Sequence, residues 1–397
     1  MSDPGRRPAA APASVPAPRR DPVHPAPAGH RASAAPGRDA ARPARPGAPR
    51  RAGKQPATGA LLGLALGDAL GRPTEFRDVP AILAAQGPWR ALRLPEPALV
   101  TDDTQMTLAL GRGLRTAMAS ADLGPESLEP PVRAEFVAWY RSDENDRAPG
   151  RTCLTACERL ADPALRWQRA SRRDSKGCGA TMRVAPLGLA PGLDEEQRAG
   201  AAQLQAALTH GHPTALAASD LTAHAIRLLA AGTEPTGLLG LLRSYAYDNR
   251  TRYHERWLGD LWALGADRDP ASFVARGWDD CLAVLERLQR ALRGPDAVSV
   301  ETDPCLATGE GWVAEEALAT GLLCFLLFVD EPVTALRRAA CSSGDSDSIA
   351  CLTGAFAGAH HGARAWPAAW ADRVEHRDEL LALGRAWDEA VPAGSPR

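Results

Sequence analysis

No stretch of this sequence reaches the roughly 18–20 consecutive apolar residues needed to span a bilayer. The longest apolar run, Leu318 to Val329, is bracketed by Glu315, Glu316, Asp330 and Glu331, and so predicts a buried core helix. Runs of Val, Ile, Tyr and Thr alternating at period two are almost missing, which argues against sheets. The eight cysteines form no even framework and no Cys-x-x-Cys pair, and no apolar secretion segment opens the chain. Reduced thiols in a cytoplasmic protein are expected. Cys153 and Cys157, one helical turn apart, read as two core thiols. Charge of one sign is also missing: 46 basic residues stand against 48 acidic ones, a net of −2. That balance excludes the electrostatic signature of a nucleic-acid binder. No internal repeat is evident.

What the sequence does have is Ala and Leu, in 397 residues that are 45% hydrophobic. That is enough for a large core, and the composition predicts an all-α fold, a compact orthogonal multi-helix bundle. Residues 1–56 are Pro, Ala, Arg and Gly with few large apolar side chains, a composition that does not offset its own ordering entropy and predicts a disordered tail. The tail is locally basic at Arg6-Arg7 and Arg19-Arg20, which reads as a solubilising segment before it reads as a site for acidic partners. Residues 57–390 are expected to form one domain and residues 391–397 a flexible end. Helices are expected over 58–70, 104–118, 132–141, 152–160, 197–208, 214–231, 236–247, 271–292, 313–328, 332–340, 348–364 and 378–389.

The first of these helices carries Gly59, Gly63, Gly67 and Gly71 every four residues, on one face. Each glycine lowers helix stability by roughly 1 kcal/mol against alanine, so the strip predicts a second helix packed very close.

Two acidic clusters each precede a helical pattern. Thr101-Asp102-Asp103-Thr104 leads into Met106, Leu110 and Leu114, and Gly344-Asp345-Ser346-Asp347-Ser348 leads into Ile349, Leu352, Phe356 and Ala359. Each alone reads as a helix cap. Together they say more, because the nearest basic residues, Arg112 and Arg338, lie outside both clusters. If the two helix starts meet, four carboxylates converge, and like charges that close require cations between them. Hard divalent ions take such oxygen ligands. The expected ligands are Thr101, Asp102, Asp103, Asp345, Asp347 and Ser348.

With three further blocks the sequence resembles the ADP-ribosylglycohydrolase family. Gly63-Leu64-Ala65-Leu66-Gly67-Asp68-Ala69-Leu70-Gly71 is followed by Pro73-Thr74-Glu75-Phe76 and the first acidic cluster. Then come Lys176-Gly177-Cys178-Gly179-Ala180-Thr181-Met182-Arg183, Thr209-His210-Gly211-His212-Pro213 and the second cluster, in the family's order. The resemblance implies an all-α bundle holding two Mg²⁺ or Mn²⁺ ions at the six ligands above, and cleavage of ADP-ribose from a modified protein or small-molecule acceptor. It implies a catalytic part for Glu75 on a mobile loop, with Asp103 beside it. Diphosphate contact is implied for Gly177, Cys178, Gly179 and Ala180, whose glycines allow close approach of a ligand. Met182 and His210 are implied to line the ADP-ribose site and Trp312 to lie near the nucleoside. His212 reads as structural. Some relatives carry an acid before the helix near Thr152, where this chain has Arg151, with Asp143 and Asp146 nearby. A monomer without membrane or nucleic-acid partner is expected. The competing readings are an inactive ADP-ribose-binding or structural homologue, and a hydrolase of another nucleoside or nucleotide conjugate.

Overall fold

Proline and short polar side chains write most of the helix starts. Proline occupies the first or second position of the helices that begin at Pro56, Val79, Pro125, Pro213, Pro235, Pro270 and Pro332. There its missing N–H has no intrahelical partner to lose. Asp78, Thr101, Asp194, His212, Asp269 and Asp345 accept from the first-turn amides of their helices. His212 thus has the structural role expected of it.

A computed structural model describes residues 53–120, 122–293 and 297–390. Residues 1–52 of the expected tail and the expected flexible end, 391–397, lie outside the described residues. Among the described residues, thirteen helices have eight residues or more. They are α1 (Pro56–Gly71), α2 (Val79–Gln86), α3 (Asp102–Ala117), α4 (Pro125–Tyr140), α5 (Arg151–Leu160), α6 (Glu195–Ala207), α7 (Pro213–Ala230), α8 (Pro235–Asp248), α9 (Pro270–Leu292), α10 (Ala314–Leu327), α11 (Pro332–Ala340), α12 (Ser346–His361) and α13 (Arg377–Ala390). Among the described residues there is no strand, only isolated bridges. The fold is all-α, and no described helix is long and apolar enough to cross a membrane.

At the centre α1 lies along α12, with α10 and α11 on α12 and α13 on α1; α3 pairs with α4, and α7 packs on α6 and α9. The glycine strip explains the closeness of the central pair. A Cβ on Gly59, Gly63 or Gly67 would sit closer than 3.0 Å to the backbone of Gly358, Gly354 or Ala350, and one on Gly71 would meet the Cα of Asp347. Gly354 and Gly358 return the favour, since a Cβ on either would overlap the Gly63 or Gly59 carbonyl. The two backbones therefore touch, and the contact runs to the first turn of α12, where the second acidic cluster lies.

Among the helices of eight residues or more, two depart from the sequence expectation. Helix α4 begins at Pro125, not at 132, and runs through Pro130 and Pro131; burial of Leu128, Val132, Phe136 and Trp139 offsets the two lost backbone hydrogen bonds. Helix α2 was not expected at all. It buries only Ile82, so it lacks the apolar periodicity that marks a helix in a sequence.

Candidate active site

Three chain segments converge at the C-terminal end of α1. Asp68, fully buried in α1, accepts from the Thr101 N–H at 2.9 Å, the Thr104 N–H at 3.1 Å and the Thr104 hydroxyl at 2.5 Å. One carboxylate thus ties the start of α3 to α1. After Gly71 the chain turns, and Thr74 Oγ1 lies 2.6 Å from the carbonyl oxygens of Gly71 and Ala340 and 3.0 Å from Ser346 Oγ. That anchor brings Glu75 to the start of α12. Oxygen atoms of Glu75, Asp345 and Asp347 lie within 4.8 Å of one another, a grouping able to hold a metal ion.

The acidic clusters are helix caps and cavity walls at once. Thr101 Oγ1 accepts from the Asp103 N–H at 3.3 Å, and Asp345 accepts from the Ser348 N–H at 3.3 Å. Asp102, Asp103, Asp345, Asp347 and Ser348 also line a cavity of about 500 Å³, together with Glu75. Gly177, Cys178, Gly179, Met182, His210 and Trp312 complete most of its expected wall. Thr101 and Ala180 are not on that wall. Thr101 is buried behind Asp103, and buried Ala180 gives its carbonyl to Gln205 Nε2 at 2.9 Å.

The glycine loop differs from expectation in its amides. The Cys178 N–H donates to the Trp312 carbonyl at 3.1 Å and the Gly177 N–H to Ser175 Oγ at 3.4 Å. The first two amides of the expected diphosphate cradle are therefore already engaged. Cys178 contributes its thiol to the site instead, with Sγ 2.8 Å from Asp345 Oδ2. Trp312 stacks on Phe76, with ring centroids 5.3 Å apart and planes inclined by 19°. Phe76 is 69% exposed and holds φ at +62°, so this pair forms an aromatic rim beside Glu75.

The loop before α5 supplies no acid. Ala148, Pro149, Gly150, Arg151 and Thr152 reach the cavity, and the Gly150 N–H donates to Asp102 Oδ2 at 3.2 Å. Asp143 and Asp146 are exposed and off the cavity wall. Sequence reasoning gave no role to Asp68, Phe76 or Cys153, which lines the cavity. The available signal for Asp68 was a lone carboxylate in an otherwise apolar, glycine-striped helix.

The electrostatics follow from this crowding. Burial, with Asp347 and then Asp345 nearby, pushes the Glu75 carboxyl up to about 10. Burial raises Asp68 and Asp102 to about 7, with Asp347 adding in each case. Burial and Asp347 also hold Asp103 and Asp345 well above the ordinary range. Asp103 Oδ1 is buried without a hydrogen-bond partner. A carboxylate oxygen in that position fits a cation.

A pH dependence follows. Asp68 and Asp102 bind protons more tightly folded than unfolded, so their contribution to stability is complete below 3.8 and is lost as pH rises towards about 7. In EDTA the unfolding midpoint should fall from pH 5 to pH 8, and Mg²⁺ or Mn²⁺ should restore it at pH 8. Thermal unfolding in both buffers checks this; a midpoint that ignores both pH and cation would contradict it.

A family model described as ADP-ribosylglycohydrolase matches residues 50–395. The ADP-ribosylhydrolase ARH3 of Mus musculus is 28% identical over 362 residues, which cover 83% of this chain and 90% of that protein. The ADP-ribosyl-[dinitrogen reductase] glycohydrolase of Rhodospirillum rubrum is 36% identical over 168 residues, 41% of this chain and 53% of that protein. Among solved structures, an ADP-ribosylglycohydrolase-related protein complex superposes with a TM-score of 0.57 at 26% identity, over 85% of this chain and 98% of that one.

Proposed function

Because the chain belongs to the ADP-ribosylglycohydrolase family, we propose that it removes ADP-ribose from a modified acceptor by metal-dependent hydrolysis of the glycosidic bond at ribose C1. One observation carries the metal part of this reading. Five carboxylates, those of Glu75, Asp102, Asp103, Asp345 and Asp347, share one cavity wall, and one of their buried oxygens has no partner. Two Mg²⁺ or Mn²⁺ ions would be held by Asp102, Asp103, Asp345 and Asp347, with Thr101 and Ser348 as hydroxyl neighbours. Such ions fix ribose hydroxyls and stabilise charge that develops at the reacting oxygen.

The protein's own groups do the rest. Glycosidic cleavage passes through an oxocarbenium-like state and needs a proton donor or acceptor beside the anomeric carbon. Glu75 meets that need: it is half-buried, lines the cavity and stands on a turn pinned by Thr74. No second acid comes from the loop at 143–151, so the second proton-handling role falls to one of the metal-side carboxylates, and Asp103, whose Oδ1 is buried without a hydrogen-bond partner, is assigned it here. The Phe76–Trp312 rim and Met182 shed water and present flat apolar surface for the nucleoside. The acceptor is an ADP-ribosylated protein or small molecule. All eight cysteines are free thiols, as the reducing cytoplasm favours.

Glu75→Gln should lower kcat by about a hundredfold while shifting ADP-ribose affinity by no more than about threefold. Turnover and titration calorimetry measure the two; a loss of affinity with kcat unchanged would make Glu75 a binding residue. The reading as a whole is tested by incubating the protein with ADP-ribosyl-arginine and ADP-ribosyl-serine peptides in Mg²⁺, Mn²⁺ or EDTA. Cation-dependent release of ADP-ribose from either is the expected result. No release from either peptide, with no stabilisation by ADP-ribose, would overturn it.

A further inference from the structure

Arg183 is one of the largest fully buried side chains, and among the described residues its oxygen partners are neutral: Gln205 and Thr209. Its guanidinium lies over the Phe136 ring, 4.3 Å from the centroid. Its Nε donates to Gln205 Oε1 at 2.8 Å, and one terminal nitrogen donates both to the Gln205 carbonyl and to Thr209 Oγ1, each at 2.8 Å. Gln205 cannot turn away, because its Nε2 is committed to the Ala180 carbonyl. A guanidinium never accepts a hydrogen bond. Thr209 Oγ1 is therefore an acceptor towards Arg183.

The hydroxyl has one proton left to place. His210 Nδ1 lies 2.8 Å from Thr209 Oγ1. The competing acceptor, the Ala206 carbonyl, lies at 3.5 Å and already takes the N–H groups of Thr209 at 3.0 Å and His210 at 2.7 Å. The Thr209 hydroxyl therefore donates its proton towards Nδ1, which accepts it. In a neutral imidazole the other nitrogen then carries the proton. That nitrogen faces the glycine loop: a Cβ on Gly177 would lie 3.2 Å from Nε2, and one on Gly179 would lie 3.0 Å from Cε1. His210 lines the cavity there, and its only hydrogen bond from the side chain among the described residues is the one at Nδ1.

We infer that Arg183, acting through Thr209, locks His210 in the neutral tautomer with its proton on Nε2, so that the cavity is offered a fixed hydrogen-bond donor above Gly177–Gly179. Burial, followed by the charges of Arg183 and Arg172, holds the ring down to about 3, so the donor stays uncharged at any working pH. A neutral N–H suits an oxygen of the bound ligand, and it compensates for the loop amides that are already engaged. Arg183 and Thr209 are positioning residues: neither reaches the cavity. The ligand half of the inference rests on the ADP-ribose reading; the tautomer half does not.

The test uses the full chain with ¹⁵N-labelled histidine, His210 being identified by the signals lost in His210→Gln. Two-bond ¹H–¹⁵N spectra distinguish a protonated Nε2 from a protonated Nδ1. The expected wild-type pattern is the Nε2–H form, unchanged between pH 6 and 8. A proton on Nδ1, or an imidazolium in that range, overturns the inference whatever the variants do. Thr209→Val should mix the tautomers and weaken ADP-ribose by about tenfold, the scale of one hydrogen bond to an ionised group. Thr209→Ser should restore both the pattern and the affinity. A Thr209→Val protein with wild-type tautomer and affinity overturns the relay. If that variant does not fold, the wild-type spectrum and the serine variant decide. An intact Nε2–H pattern in a protein that does not bind ADP-ribose would leave the relay standing and remove the functional reading instead.

Discussion

Asp347→Asn is expected to abolish hydrolysis and, in the same protein, to raise the stability of the metal-free form. Asp347 is the charge that recurs around the site: after burial it is the first neighbour to raise Glu75, Asp68, Asp103 and Asp345. Asparagine keeps the shape and the acceptor that takes the Ser348 N–H at 3.0 Å, and it removes the charge. Without cations, the repulsion between Asp347 and its neighbours opposes folding above the ordinary carboxylate range, so its removal favours the folded state. With cations, the same substitution removes a carboxylate from the proposed metal site, and turnover should fall by on the order of a thousandfold or more. The two effects have opposite signs, and that is what makes the variant informative. Thermal unfolding in EDTA at pH 8 and ADP-ribose release in Mn²⁺ read them separately. Near-normal turnover would remove Asp347 from the metal site. A lower metal-free midpoint would mean that its capping bonds outweigh the repulsion. Asp68→Asn provides the contrast. Asp68 receives three hydrogen bonds from Thr101 and Thr104, so its loss should lower stability in either buffer.

Much of this site was legible because its parts are also good local signals. Thr101 and Asp345 are caps, caps start helices, and two acidic caps without basic neighbours in the sequence point to one another. The glycine strip was legible for a similar reason: four glycines at helical spacing are costly unless another backbone fills the groove, and α12 fills it. What stayed hidden was long-range pairing. Cys178 in a glycine loop gives no sign that its amide will reach the Trp312 carbonyl, or its thiol Asp345. Asp68 reads as one polar residue in an apolar helix until the Thr101 loop is laid over it. Arg183 ends the Lys176–Arg183 block, yet it acts through Thr209, 26 positions further on. Helix α4 shows the opposite error, since two prolines inside it speak against a helix that tertiary burial of Leu128, Val132, Phe136 and Trp139 maintains. In each case the deciding interaction lies outside the window in which spacing carries information.

The second large effect is on the central helix pair, and it reverses the usual sign for glycine. Gly67→Ala should destabilise the protein although alanine favours a helix by roughly 1 kcal/mol. The new Cβ would overlap the Ala350 carbonyl and lie closer than 3.0 Å to the Cys351 amide. These are backbone atoms, which no side-chain rotation can clear. Either α1 and α12 separate along their length or the first turn of α12 tilts, and overpacking of this kind costs ~3 kcal/mol or more. That is a large part of the ~5–15 kcal/mol that keeps a domain folded. Gly240→Ala is the matched control: Gly240 lies inside α8, is exposed, and has nothing within 4 Å of the added Cβ. There the propensity gain should appear as a small rise in the unfolding midpoint. Because the strip ends at Gly71, whose Cβ would meet the Cα of Asp347, Gly71→Ala should weaken cation stabilisation more than Gly67→Ala does for the same loss of midpoint. Midpoints measured with and without Mn²⁺ separate the three variants. If Gly67→Ala proved as benign as Gly240→Ala, the backbone contact that brings Asp347 to Glu75 would not exist.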